Sequence, residues 1–206
     1  MIVSKDRRNI VATPTKTGTY SIEAGLKNKG WLIGRPRHRS SIPSWVVTNE
    51  PIKLHLTMRN PFARILSMYT YGFTSNHSRL KLWGRNGWPD FVKNWCEARV
   101  EDPEKFHDWV STYFDYFARL QAIDDREIAS ISIHRIEDGI PEIMNRFGYP
   151  NHKDIFVNQS FNKFERPKDP WADPLVELVL PHITDDLQMG SYDPDPYMYL
   201  LKERAT

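Results

Sequence analysis

The chain has 206 residues, 40% of them hydrophobic and 26% charged, with a formal net charge of +2. That length fits one domain over residues 1–206, and the composition is ordinary for a soluble globular chain. So small a charge gives no footing to a general nucleic-acid or anionic-membrane binder, so any basic site must be local.

Cys96 is the sole cysteine, which excludes an intrachain disulfide and fits a reducing compartment. The opening segment, Met1 to Arg8, lacks the apolar stretch of a secretory signal. No run approaches the ~18 apolar residues of a membrane span. The expected location is the cytoplasm.

In chain order, Asn9 to Thr13 reads as a short buried strand. Thr17 to Lys29 reads as a helix, with Ile22 and Leu26 four residues apart and Gly30 placed to stop it. Gly34 to Ser44 is a basic loop with Arg35, Arg37, His38 and Arg39. Lys53 to Met58 alternates as a strand does, and Phe62 to Phe73 is a helix with Ile65, Leu66, Tyr69 and Phe73 on its apolar face.

Thr74 to Gly87 is polar and reads as a long loop. Trp88 to Arg99 and Asp108 to Ala122 read as amphipathic helices. Ile128 to Ile133 alternates cleanly and should be a strand; Gly139 to Phe147 is a helix ended by Gly148. Asn158 to Asp169 is polar and basic, and Asp173 to Leu187 is a last helix despite Pro181. Strands separated by helices predict an α/β fold with a short, mostly parallel central sheet.

Two segments carry chemistry. Pro14-Thr15-Lys16-Thr17-Gly18-Thr19-Tyr20-Ser21 follows an apolar strand and opens a helix. Such a turn presents unpaired backbone N–H groups at the positive helix end, where anions bind. Gly18 permits close approach, Thr17, Thr19 and Ser21 add hydroxyls, and Lys16 adds a point charge. The string is not G-x-x-x-x-G-K-[ST], which weakens a magnesium–ATP reading. The second segment, Arg59-Asn60-Pro61 through Ser67, takes a strand ending in Arg into a helix carrying Ser. The Arg fork suits a dianionic phosphate. Together they suggest a ligand with two separated phosphates. Arg64, four residues after Asn60, is expected on a solvated helix face.

This pair resembles the nucleotide-binding motifs of sulfotransferases that use 3′-phosphoadenosine 5′-phosphosulfate, the carbohydrate-type members above all. Lys16-Thr17-Gly18-Thr19 looks like their 5′-phosphosulfate loop. Arg59-Asn60-Pro61 with Ser67 and the aromatic Tyr69 looks like their 3′-phosphate element. Arg35-Pro36-Arg37-His38-Arg39 stands where they carry a basic-His segment. Ile133 to Asp138, Phe147-Gly148-Tyr149, Asn158-Gln159-Ser160 and Asp185 to Tyr192 are similar in order and spacing. Two positions depart: Thr15 separates Pro14 from Lys16, and Tyr20 stands where a second small hydroxyl residue is usual.

The resemblance implies a P-loop-like, three-layer α/β/α fold and transfer of a sulfuryl group to an acceptor hydroxyl, a saccharide among the candidates. Lys16 and His38 would be catalytic, His38 as the base. Lys16, Thr17, Gly18, Thr19, Tyr20, Ser21, Arg59, Ser67, Lys163 and Arg166 would hold the nucleotide co-substrate. No metal is required, and the seven scattered His show no metal-ligand spacing. The partner expected is a small-molecule or glycan acceptor, with no nucleic acid or membrane. Glu50, His55 and Glu137 are reserve bases, and Trp83 and Trp88 are candidates for shaping an acceptor pocket. A kinase-like phosphotransferase and a non-catalytic nucleotide- or glycan-binding protein are the competing readings, with a nucleic-acid binder behind them.

Overall fold

The computed structural model describes residues 1–34, 42–46, 49–74, 77–101, 107–123, 128–150 and 167–198. The chain divides into two compact units. The first takes residues 1–59 and 115–159, the second 60–114 and 160–206.

The first unit is built on a five-stranded sheet. Its strands are β1 (Ile2–Val3), β2 (Asn9–Ala12), β3 (Leu32–Ile33), β4 (Ile52–Met58) and β5 (Ile128–Arg135), in the order β3-β1-β2-β4-β5. The β2–β4 and β4–β5 pairs are parallel; β1 runs antiparallel to both β2 and β3. An α/β fold with a mostly parallel sheet was expected; the short strands β1 and β3, of which β1 runs against the rest, were not. Two-residue strands carry no readable period, so only their neighbours define them.

Ile10, Val11, Ala12, Leu54 and Leu56 are buried, as central strands of a covered sheet must be. Helix α1 (Thr19–Lys27) packs Ile22 and Leu26 with Val11, Ile2 and Trp31. Ile140 and Met144 of α7 (Ile140–Arg146) join the same cluster. Gly148, at φ +81°, ends α7 in the left-handed region, and Tyr149 N–H reaches back to Met144 O at 3.0 Å.

A polar ladder crosses this face of the sheet. His55 Nδ1 and His134 Nε2 are 3.0 Å apart, and His55 Nε2 lies 3.3 Å from Asn9 Oδ1. The Phe147 ring sits edge-on to His55 at 4.8 Å, and the His134 and Phe147 ring centroids are 5.0 Å apart. One proton arrangement serves both bonds: His134 Nε2–H donates to His55, and His55 Nε2–H donates to Asn9. His134 Nδ1 is then a buried lone pair with no hydrogen-bond partner among the described residues. Burial lowers both histidines to about 4, aided at His55 by the His134 and Lys53 charges and at His134 by Arg146. Both rings are therefore neutral at pH 7.

The second unit is helical: α2 (Pro61–Thr74), α3 (Ser78–Trp83), α4 (Trp88–Glu101), α5 (His107–Val110) and α8 (Asp173–Met189). Asn60 caps α2, its Oδ1 accepting from the backbone N–H of Phe62 at 3.0 Å and of Ala63 at 3.3 Å. The core gathers Phe62, Leu66, Tyr69, Phe91, Trp95, Trp171, Val179 and Ile183. Cys96 is buried here, and desolvation pushes its thiol up to about 12, an inert state.

Three expectations are corrected. Residues 74–87 are not one loop: His77 Nδ1 accepts from Leu80 N–H and starts α3. The helix expected over 108–122 is two, α5 and α6 (Tyr113–Ile123), interrupted at Ser111-Thr112. Arg64 is not solvated. It is 4% exposed, donates to Ser111 O at 2.7 Å, and lies over the Tyr113 ring at 4.7 Å. Pro181 is accommodated inside α8, as expected.

The partner that makes this start of α6 stable comes from α8. Asp186 is 1% exposed, and its Oδ1 accepts from Phe114 N–H at 2.9 Å. Burial raises this carboxyl to about 6, against the pull of the Phe114 and Tyr113 amides and of the Arg64 and Arg99 charges.

The two groups make opposite pH predictions. The histidines have depressed folded values, so their contribution is full above about 6.5 and is lost as pH falls toward 4. Asp186 is raised, so its contribution is full below 3.8 and is lost as pH rises through 6. In denaturant titrations Asp186→Asn, which keeps the accepting oxygen, should match or exceed the parent at pH 7, by up to about 3 kcal/mol. Asp186→Ala should be destabilised. Equal losses in both variants would remove the charge penalty from the account.

Candidate functional site

β2 ends at Ala12 and α1 begins at Thr19, so six residues turn the chain from strand to helix. Two of them sit in the left-handed region, Lys16 at φ +67° and Gly18 at φ +69°. For a lysine that conformation costs on the order of 1 kcal/mol and marks a segment held by its surroundings. At Gly18 a side chain is excluded twice: by φ, and because a Cβ would fall 2.9 Å from Ile136 Cγ1.

Thr17 holds the turn from inside. Its Oγ1 donates to Pro14 O at 2.7 Å and meets Thr57 Oγ1 at 3.0 Å. Since the single Thr17 hydroxyl proton serves Pro14, Thr57 donates in that pair, with Ala12 O a second acceptor at 3.4 Å. Thr57 lies next to the last residue of β4, and Arg59 follows directly after the strand ends at Met58. Neither Thr57 nor Ile136 was singled out in the sequence. The place of Thr57 near the end of a readable strand was a usable signal; Ile136 gave none.

The electrostatics point one way. α1 has Gly18 at its N-cap, no side-chain cap bond and no acidic residue in its first turn. Thr19 is 5% exposed and its Oγ1 has no hydrogen-bond partner among the described residues. Lys16 is half-buried; desolvation and the nearby Arg59 charge lower it to about 8. Two cations thus share one low-dielectric corner with a helix N-terminus. An anion there would relieve both strains at once.

Of the sequence candidates, Lys16, Thr17 and Gly18 lie on this turn, Thr19, Tyr20 and Ser21 open α1, and Arg59 lies close enough to act on Lys16. The Tyr20 side chain is exposed, while Ser21 is buried. Ser67 lies half-buried on α2, in the second unit. His38, Lys163 and Arg166 lie outside the described residues, as do Arg35, Arg37, Arg39 and Asn158 to Ser160.

The reserve bases are accounted for otherwise. Glu50 pairs with Arg8, His55 belongs to the histidine ladder, and Glu137 is exposed in the turn Ile136–Asp138. Trp88 is buried, its Nε1 donating to Pro170 O, and Trp83 packs against the core beside Phe91. Neither is a free stacking platform. Among the described residues no cluster of three or more His, Cys, Asp or Glu could hold a metal. No helix described is long and apolar enough to cross a membrane.

No protein-family model, curated protein or solved structure matches the chain.

The Gly18–Ile136 contact can be tested by a mutant cycle. Gly148→Ala should cost about 1 kcal/mol, the strain of its φ alone, because its Cβ meets nothing within 4 Å. Gly18→Ala should cost more by about 1 kcal/mol or above, and Ile136→Ala should recover part of that excess. Equal costs at the two glycines would remove the Ile136 contact.

Proposed function

We propose that this chain is a sulfotransferase using 3′-phosphoadenosine 5′-phosphosulfate, on a P-loop-like three-layer α/β/α frame, acting on an acceptor hydroxyl. The single observation that carries the reading is the half-buried Lys16, set beside Arg59 at an uncapped helix N-terminus. That corner calls for a multiply charged anion. The order Lys16-Thr17-Gly18-Thr19, then Arg59 and Ser67, supports one with a second phosphate away from the first.

The chemistry asks little covalent work of the protein. An in-line displacement moves the sulfuryl group from the phosphate oxygen to the acceptor oxygen, and charge grows on the leaving phosphate. Lys16, cationic below pH 8, faces that charge; the amide dipoles of α1 add to it. Thr17, braced by Thr57, fixes the turn, and the Thr19 hydroxyl supplies one further donor. Arg59 would take the 3′-phosphate; Ser67, Lys163 and Arg166 are the further nucleotide-binding residues that the resemblance implies. A base must accept the acceptor's proton. His38 is the residue proposed. A saccharide alcohol is the acceptor class to screen first.

The reading is tested by thermal shift with adenosine 3′,5′-bisphosphate beside adenosine 5′-phosphate and ATP–magnesium. Saturation at ~100 Kd should add about 2.7 kcal/mol for the bisphosphate alone. A shift only with ATP–magnesium would transfer the site to the phosphotransferase reading. Arg59→Ala should weaken the bisphosphate far more than the monophosphate, and Lys16→Ala should abolish turnover. Binding should also carry a proton signature. Affinity is full below pH 8 and falls as pH rises past it, by up to tenfold per unit, as Lys16 must be reprotonated. A flat profile from pH 7 to 9.5 would place Lys16 away from the anion.

A further inference from the structure

We propose that Asp138 is a positioning residue of the anion site: it pins Ile136 on Gly18 and so keeps the Lys16–Gly18 turn in its binding shape. The role rests on the anion site proposed above and holds for whichever nucleotide fills it. Every residue involved belongs to the first compact unit. β2 and β5 do not pair directly, because β4 lies between them. Parallel pairing nevertheless brings their carboxyl ends to one border, and the turn Ile136–Asp138 leaves β5 there. Asp138 ties that turn at both ends. Its Oδ1 accepts from Arg135, the last residue of β5, through Nη2 at 3.0 Å and Nε at 3.3 Å. Its Oδ2 accepts from Nη2 of Arg146, the last residue of α7, at 3.2 Å. Exposed ion pairs contribute little, but this carboxylate side chain is 17% exposed and takes three charged donors. Inside the turn so closed, Gly139 N–H donates to Ile136 O at 3.1 Å. The Ile136 side chain packs against the cluster of Ile22, Leu26, Ile140 and Met144 and reaches Gly18.

The turn needs such a neighbour. Lys16 and Gly18 both lie in the left-handed region, with Thr17 between them outside it. Alternation of that kind gathers successive N–H groups into one concavity, a backbone form that takes anions. A lysine stays in the left-handed region only where its surroundings hold it. Thr57 braces the turn from β4 through Thr17, and Ile136 closes it from the end of β5. Without the carboxylate, Arg135 and Arg146 are left as neighbouring like charges. The turn Ile136–Asp138 then loses its tie, and Ile136 is free to lift off Gly18. Anion affinity falls because the binding shape is no longer formed in advance.

The sign of one substitution separates this role from simple electrostatics. Asp138→Asn removes a negative charge from a border that binds an anion, so charge alone would tighten binding. Loss of positioning should instead weaken adenosine 3′,5′-bisphosphate and inorganic pyrophosphate alike, by about tenfold in isothermal titration at pH 7. The variants compared are those that keep the parent circular dichroism spectrum. Ile136→Ala should lose a similar factor, and the double variant no more than the worse single one, since both act through one contact. Ile136→Val, which keeps the branch at Cβ, should retain most of the affinity. Glu142→Gln touches only the outer bond from Arg146 Nε and should bind as the parent does. Unchanged or tighter binding by Asp138→Asn, or additive losses in the cycle, would overturn the role and leave the anion site standing. A parent that binds neither the bisphosphate nor pyrophosphate would overturn the site, and the role with it.

Discussion

Parallel pairing of β2 with β4 is the constraint on which the site depends. The register sets Ala12 beside Leu56, so the turn after β2 and the end of β4, with Thr57 and the following Arg59, emerge at the same border of the sheet. Antiparallel pairing would have sent them to opposite borders. From that one alignment follow the Thr17–Thr57 hydroxyl contact and the influence of Arg59 on Lys16. Ligand sites in open α/β sheets lie beyond the carboxyl ends of strands for the same geometric reason.

Polar groups are buried in this chain in two distinct ways. The histidine ladder is covered by Phe147 and kept neutral, so its cost appears only on acidification. Asp186 is buried where it caps a helix, and it retains its charge at pH 7 against desolvation. Their slopes oppose each other between pH 4 and 6.5, which flattens the stability profile that either would produce alone. Lys16 is a third kind. Its lowered value comes from desolvation and the Arg59 charge at the end of a strand, where a half-buried cation is a candidate for function, while the buried histidine pair is held within the sheet.

Much of the fold was legible. β2, β4, β5, α1, α2, α4, α7 and α8 each carry a clear period, a cap or a terminating glycine, and local signals suffice for such elements. What escaped was set by distant partners. β1 and β3 are too short to show alternation. The break at Ser111-Thr112 is stabilised by Asp186, 72 residues from Phe114, and no local window contains it. Arg64 looked solvated because a lone arginine on an apolar helix usually is; its partners, Ser111 and Tyr113, lie beyond any helical spacing. At the candidate site the stretch from Lys16 to Ser21 was readable because a Gly-containing strand-to-helix turn carries its signal at short range. The lid of Gly18, Ile136, was not, because it comes from the turn after β5.

Each compact unit is assembled from two separated stretches of chain, and this orders events during synthesis. The helices α2 to α4 leave the ribosome long before Trp171, Val179, Ile183 and Leu187 of the same core. The sheet likewise waits for β5, some seventy residues after β4 ends. Neither unit can close on a nascent chain of half length. Apolar surface from Phe62 to Trp95 must stay in contact with water, or with a chaperone, until α8 appears. A premature stop before residue 171 would therefore not yield a smaller stable protein. It would leave the helical unit without one wall of its core, and ribosome-bound fragments should become protease-resistant only when α8 has cleared the exit tunnel.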